Sequence, residues 1–238
     1  MLPPFSLVIP AFNEASRIGD TLRSALDYLG TVSPQSELIV VNDGSTDHTS
    51  AVAREALAAA KIETRLLENF PNHGKGAAVR QGLLAAQKPI ALFSDADLST
   101  PLEETPKLIE PISNGDVDIA FGSRALDRRL IGHHQPWRRE QGGRVFNLLV
   151  RLATGLPFWD TQCGFKAFRL DLSRPIIEAA RIVGFAFDVE LLYFAHQSGL
   201  RLREIPVRWD HHEGSKVHFV HDSLRMLREV IAIRLRAK

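Results

Sequence analysis

A chain of 238 residues with 45% hydrophobic and 24% charged side chains has the make-up of one large soluble globular domain. A formal net charge of +1 gives no global attraction to nucleic acid. One cysteine, Cys163, excludes an intrachain disulfide and points to a reducing compartment, and no stretch approaches the roughly 18 apolar residues of a membrane span.

The opening MLPPFSLVIPAFNE has no basic segment followed by an apolar one, so no signal peptide is expected. Strand-like apolar runs follow at 6–10, 37–42, 63–67, 90–94 and 117–122. Between the first two, Ile18, Leu22, Ala25, Leu26 and Leu29 recur at helical spacing. STDHTSAVAREALAAA opens with capping residues and continues in helix formers; GKGAAVRQGLLAAQ and PLEETPKLIEPI read as the third and fourth helices. Strict alternation of strand and helix predicts a parallel sheet covered on both faces, with ligands outside the carboxyl ends of its strands.

After about residue 124 the alternation breaks. Residues 124–151 hold seven arginines against Asp127 and Glu140. A helix is expected in GRVFNLLVRLATG, another around 173–181, a third in FAFDVELLYFAHQ and a strand in LREIPVRW. The closing helix would place Val220, Leu224, Leu227 and Ile231 on one face, either packed on the sheet or lying on anionic lipid. No linker or repeat divides the chain, so 1–238 is expected to be one domain, its two halves at about 5–123 and 124–238.

ALFSDADLST ends a buried run in Asp95 and Asp97, like charges that repel unless a cation joins them. Hard carboxylate oxygens suit Mg²⁺ or Mn²⁺, ions that also bind substrate phosphates, although such a pair also occurs in turns and helix caps. VVNDGSTD puts Asp43 at a second strand end, and VIPAFNE ends a third in Pro10, Asn13 and Glu14. HGKGAAVRQG lacks the Walker pattern, because Lys75 precedes glycine, and no G-x-G-x-x-G follows the first strand. A P-loop NTPase and a dinucleotide dehydrogenase are therefore disfavoured. His211, His212 and His218 fit no zinc spacing; Cys163 reads as a buried packing residue. Asp188 and Glu190, inside an apolar run, are read either as surface charges or as a buried, paired set.

SLVIPAFNE, ELIVVNDGSTDHT, NHGKGAAVRQG, SDADLSTP and AFGSR, in that order, resemble the family-2 glycosyltransferases of the GT-A fold. DTQCGFKAF, FAFDVELLYFA, EGSKV and the closing IRLR narrow the likeness to the dolichyl-phosphate glucosyltransferases and their prokaryotic polyprenyl-phosphate relatives. The resemblance implies an α/β, mainly parallel sheet with helices on both faces. It also implies inverting transfer of a hexose, glucose from UDP-glucose being favoured, to a polyprenyl phosphate with Mg²⁺ or Mn²⁺. By the same resemblance Pro10, Ala11, Asn13, Glu14 and Asp43 hold the nucleoside, Lys75 lies in the nucleotide-sugar site, and Asp95 and Asp97 touch ribose and the metal-bound diphosphate. Arg124 and Arg139 correspond to acceptor-phosphate positions, and Ser215 and Lys216 to a loop closing over the phosphates. Ser99 stands where relatives that make mannosyl lipids often carry glutamine.

No Glu-Asp dipeptide, the base of many hydroxyl-acceptor members of the family, occurs in the chain. A phosphate acceptor arrives already ionised and needs arginines rather than a base. A soluble hydroxyl acceptor would instead call for Asp188 or Asp160 as base. A non-catalytic nucleotide-sugar binding module is the third reading. The expected location is the cytoplasm, extending to the cytoplasmic face of a membrane.

Overall fold

The first strand, β1 (Phe5–Ala11), is buried along its whole length, as is β2 (Glu37–Asp43), which explains why both read as unbroken apolar runs. The structure is a computed structural model; it describes residues 1–133, 135–211 and 219–236, with the backbone alone at 138, 139 and 219–224. Helix α1 (Ile18–Val32) buries Ile18, Leu22, Ala25 and Leu29, the stripe its spacing predicts. Then come α2 (Thr49–Ala58), β3 (Glu63–Asn69), α3 (Lys75–Ala85), β4 (Ile90–Ser94), α4 (Thr105–Ser113) and β5 (Ile119–Ser123). The second half supplies α5 (Trp137–Thr154), β6 (Phe165–Arg169), α6 (Leu170–Ala179), α7 (Phe187–Gln197), β7 (Leu202–Pro206) and α8 (Phe219–Arg236).

The strands form one sheet in the order β3-β2-β1-β4-β6-β5-β7. All neighbours are parallel except β6, which runs antiparallel to both β4 and β5. The sheet is mainly parallel, as expected; DTQCGFKAF contains a further strand, which inserts between β4 and β5. Each face of the sheet carries its own apolar core. One is built on α1 and α4, with Leu7, Leu22 and Leu108; the other on α3, α5, α7 and α8, with Val79, Phe93, Val150, Leu192 and Val230.

Helix α8 packs on α5 and α7, and its buried face is Met226, Val230 and Ile233. Of the expected set, Leu227 packs on the same core and Ile231 is half exposed, while the side chains of Val220 and Leu224 lie outside those described. Arg234 donates to the Ala153 carbonyl at the end of α5, and Arg236 to Glu190 of α7, so both neighbours hold the helix by its last turn.

Candidate active site

The parallel strands deliver their carboxyl ends to one edge of the sheet, and β6, running the other way, begins there. Pro10 and Ala11 end β1 beside Val41 and Asn42 of β2. Asn13 and Leu98 are the non-glycine residues with positive φ, at 54° and 48° among those described, and both sit in turns at this edge. The Asn13 N–H donates to Ser45 Oγ and its Oδ1 accepts from Thr46 N–H; the Glu14 N–H donates to Thr49 Oγ1, and its carboxylate pairs with Arg17. These bonds fix the β1 turn onto the β2 turn.

Asp43 is buried, and its carboxylate accepts from the side chains of Asn69 (3.0 Å) and Asn72 (2.8 Å) and from the backbone of His73 (3.1 Å) and Gly74 (2.7 Å). A carboxylate has about four acceptor positions, so this one is full. Asp43 therefore shapes the 69–74 loop at this edge of the sheet, a task the sequence did not show. Gly44 follows at φ +70°, and a Cβ there would lie 2.5 Å from Asn72 N, so only glycine allows the loop to approach this closely.

Asp95 follows β4, and its N–H donates to the Gly164 carbonyl. Lys75, first residue of α3, places its Nζ 2.7 Å from Asp95 Oδ1. The fields of Asp95, Asp188 and Asp97 outweigh burial and raise the Lys75 pKa. Asp97 Oδ1 accepts from the Ser99 N–H, and the Ser99 carbonyl accepts from Asp210 N–H, tying the segment after β7 to the D-x-D turn. Among the described residues no three His, Cys, Asp or Glu side chains converge as a metal cage. Asp95 and Asp97 nonetheless suit an ion such as Mg²⁺, which takes one or two carboxylates and completes its shell with water and substrate phosphate.

Arg124, just past β5, forms a two-pronged pair with Asp160 (2.7 and 2.8 Å), and its backbone N–H bonds the same carboxylate. The Gln162 N–H fills the remaining position. Burial alone would raise the Asp160 pKa; Arg124 overrides it and holds the carboxyl below its ordinary value of 3.8, while the Arg124 pKa is raised in turn. Asp160 is thus ionised, saturated and unfit as a general base. Its stability contribution is fully present above the ordinary carboxylate value and is lost as pH falls through the depressed folded value. Asp160→Asn should therefore cost about 3–5 kcal/mol near neutrality. In urea titrations the gap to wild type should stay constant from about pH 7 to 5 and close in strong acid.

Beside this pair opens a cavity of about 480 Å³ lined by Arg124, Arg128, Arg144, Arg151, Trp159 and Trp209, among others. Arg151 stacks 3.9 Å from the Trp159 ring, and Arg124 lies 5.6 Å from that of Trp209. Arg139 falls in the first turn of α5, its side chain outside those described, and Ser215, Lys216, His212 and His218 lie outside the described residues. Asp188 and Glu190 are both buried and paired, Asp188 with Lys166 and Glu190 with Arg236, which settles the two readings the sequence left open. Cys163 is buried, with its thiol pushed up to about 11 by desolvation, consistent with a packing role.

The glycosyl transferase family 2 model matches residues 6–176, and the chain belongs to that family; it is a glycosyltransferase of the GT-A fold. Its curated relatives include the dolichyl-phosphate beta-glucosyltransferase of Drosophila melanogaster, 37% identical over 97% of this chain and 74% of that protein. The Homo sapiens protein of the same name is 34% identical over 97% of this chain and 75% of its own length. Among solved structures, a Mycobacterium tuberculosis glucosyl-3-phosphoglycerate synthase with Mn²⁺, UDP and glucosyl-3-phosphoglycerate superposes with a TM-score of 0.69. It covers 98% of this chain and 79% of its own at 23% identity, a likeness of fold.

Proposed function

We propose that this glycosyltransferase moves glucose from UDP-glucose, with inversion, onto the phosphate of a polyprenyl phosphate of the dolichyl type. The observation that carries this reading is the arginine-lined cavity beside the Asp95 edge, whose neighbouring carboxylate, Asp160, is already neutralised by Arg124. An anionic acceptor is attracted to such a cavity and oriented by forked hydrogen bonds, with no proton to remove. The nucleoside is placed by Pro10, Ala11, Asn13, Glu14 and the loop that Asp43 holds. Asp97 and Asp95 would hold Mg²⁺ or Mn²⁺, which when bound neutralises charge on the departing diphosphate. Lys75 adds a cation at the same spot, and Arg124 and Arg139 serve the acceptor. The whole chain, 1–238, acts as one domain in this reading.

The relatives named above carry dolichyl phosphate in their names, and the surface supports contact with a membrane. Val145, Leu148, Leu149 and Leu152 are exposed on α5 at i, i+3, i+4 and i+7, and α8 adds Ile231 and Leu235. Leu148 also lines the cavity, so the apolar face runs into it, and Arg144, Arg151 and Arg228 flank it. An apolar helical face flanked by arginine fits an anionic lipid surface, each arginine adding about 1 kcal/mol.

The test offers short-chain polyprenyl phosphate and the matching free polyprenol side by side, with UDP-glucose as donor. Product should form from the phosphate alone and carry a beta linkage by NMR. Glucosylation of the alcohol, or clear preference for a GDP-sugar, would overturn the reading. In sedimentation with vesicles, wild type should bind phosphatidylserine-containing membranes in low salt, and Leu149→Glu/Leu152→Glu should release it. Failure to sediment, or a dimer in solution that this variant dissociates, would remove the membrane contact.

A further inference from the structure

Lys166 stands in the middle of β6, opposite Phe93 of β4 and Phe121 of β5, and is fully buried. Desolvating an ammonium costs several kcal/mol unless its surroundings compensate, and a hydrocarbon would pack between those rings without that cost. What the ammonium touches is specific. Its Nζ lies 2.8 Å from Asp188 Oδ1, donates to the Cys163 carbonyl and sits 5.4 Å from the centre of the Phe93 ring.

One of these partners leads directly to the cleft. The Cys163 carbonyl also accepts from the Phe165 N–H, closing a tight turn over Gly164. Gly164 is the surface on which Asp95 rests: its carbonyl takes the Asp95 N–H, and a Cβ there would lie 2.1 Å from Asp95 Oδ2. Asp188, the other partner, lies in the first turn of α7. Lys166 thus ties α7 to the turn that supports Asp95, and Asp95 is in turn paired with Lys75.

We propose that Lys166 is a positioning residue for the donor-phosphate site, holding Asp95, and with it the paired Lys75, through the Cys163–Gly164–Phe165 turn. The inference depends on the donor reading given above, and it adds the group that keeps the site in register. Lys166 touches no reacting atom; it acts through Asp95 and Lys75.

The experiment uses the full chain and reads melting temperature together with UDP affinity by calorimetry in Mn²⁺. Lys166→Met leaves Asp188 buried without its cation and should lose stability. Lys166→Met/Asp188→Asn removes both charges and should recover most of the melting temperature. It should still bind UDP about 10–100-fold more weakly, as loss of outer-shell support does in metal sites. Asp188→Asn alone keeps the bond to the Cys163 carbonyl and should bind UDP more tightly than the double variant. A double variant with wild-type UDP affinity, or one equal to Asp188→Asn, would overturn the role of Lys166 and leave the donor reading intact. A wild-type chain that binds no UDP in Mn²⁺ would overturn the donor reading and this inference together.

Discussion

Asp97→Ala should abolish measurable sugar transfer while leaving a folded protein. Its Oδ1 accepts only the Ser99 N–H among the described contacts, so the loss to stability is that of one hydrogen bond, about 1 kcal/mol. In a chain of this size that moves the melting temperature by about 2–4 °C. In the proposed reading transfer loses a carboxylate that would hold the cation beside the leaving diphosphate, and effects of this electrostatic kind are on the order of 10²–10³-fold per group. Initial rates with UDP-glucose and polyprenyl phosphate, measured beside a thermal melt, separate the two. Near-normal turnover in this variant, or in wild type treated with chelator, would exclude a metal at the D-x-D turn.

Gly164→Ala is expected to be nearly as damaging, from a residue with no chemistry of its own. The added Cβ would meet Asp95 Oδ2 at 2.1 Å and its Cγ at 2.3 Å, so the carboxylate or the β6 turn must move. Overpacking of this kind costs about 1–3 kcal/mol. The larger consequence is the displacement of Asp95 from Lys75, and a 1 Å misplacement can cost about 10²-fold in rate. Gly30→Ala is the control: it lies within α1, nothing is within 4 Å of the new Cβ, and it should gain about 0.5–1 kcal/mol. If Gly164→Ala melts and turns over like wild type, Asp95 is not held by this contact.

β1, β2, β4 and β5 were legible because a strand buried on both faces shows nearly its whole length as apolar, whereas β3, partly exposed at the sheet edge, showed only Leu66 and Leu67. Asp43, Asp95 and Asp97 could be placed on one edge for the same reason: the carboxyl ends of such strands share a side. β6 was not legible. Its five residues include Lys166, and a charge in the middle of a central strand contradicts the pattern that identifies one; only Phe165, Ala167 and Phe168 around it hinted at a strand. Its ion pair with Asp188 joins residues from a strand and a helix, which no local spacing reveals. The sequence marked Arg124 for its position but not Asp160 as its partner. The apolar stripe on α5 was missed because leucines at helical spacing usually mean core. Here Phe146 and Val150 occupy the core side, and the neighbouring side is left to solvent.

The place of β6 in the sheet also sets an order of events during synthesis. β1 to β4 can pair as soon as they leave the ribosome, since each finds its neighbour among residues already made. β5 cannot join them, because its own neighbours are β6 and β7, and the place next to β4 belongs to β6, which begins only at Phe165. At about 5–20 residues per second, the inner edge of β4 therefore waits several seconds with its amides and carbonyls unpaired. That edge, rich in apolar side chains, is a ready template for another nascent chain. The yield of folded protein should thus depend on chaperone supply and on translation speed between β4 and β6 more than on the final stability of the domain.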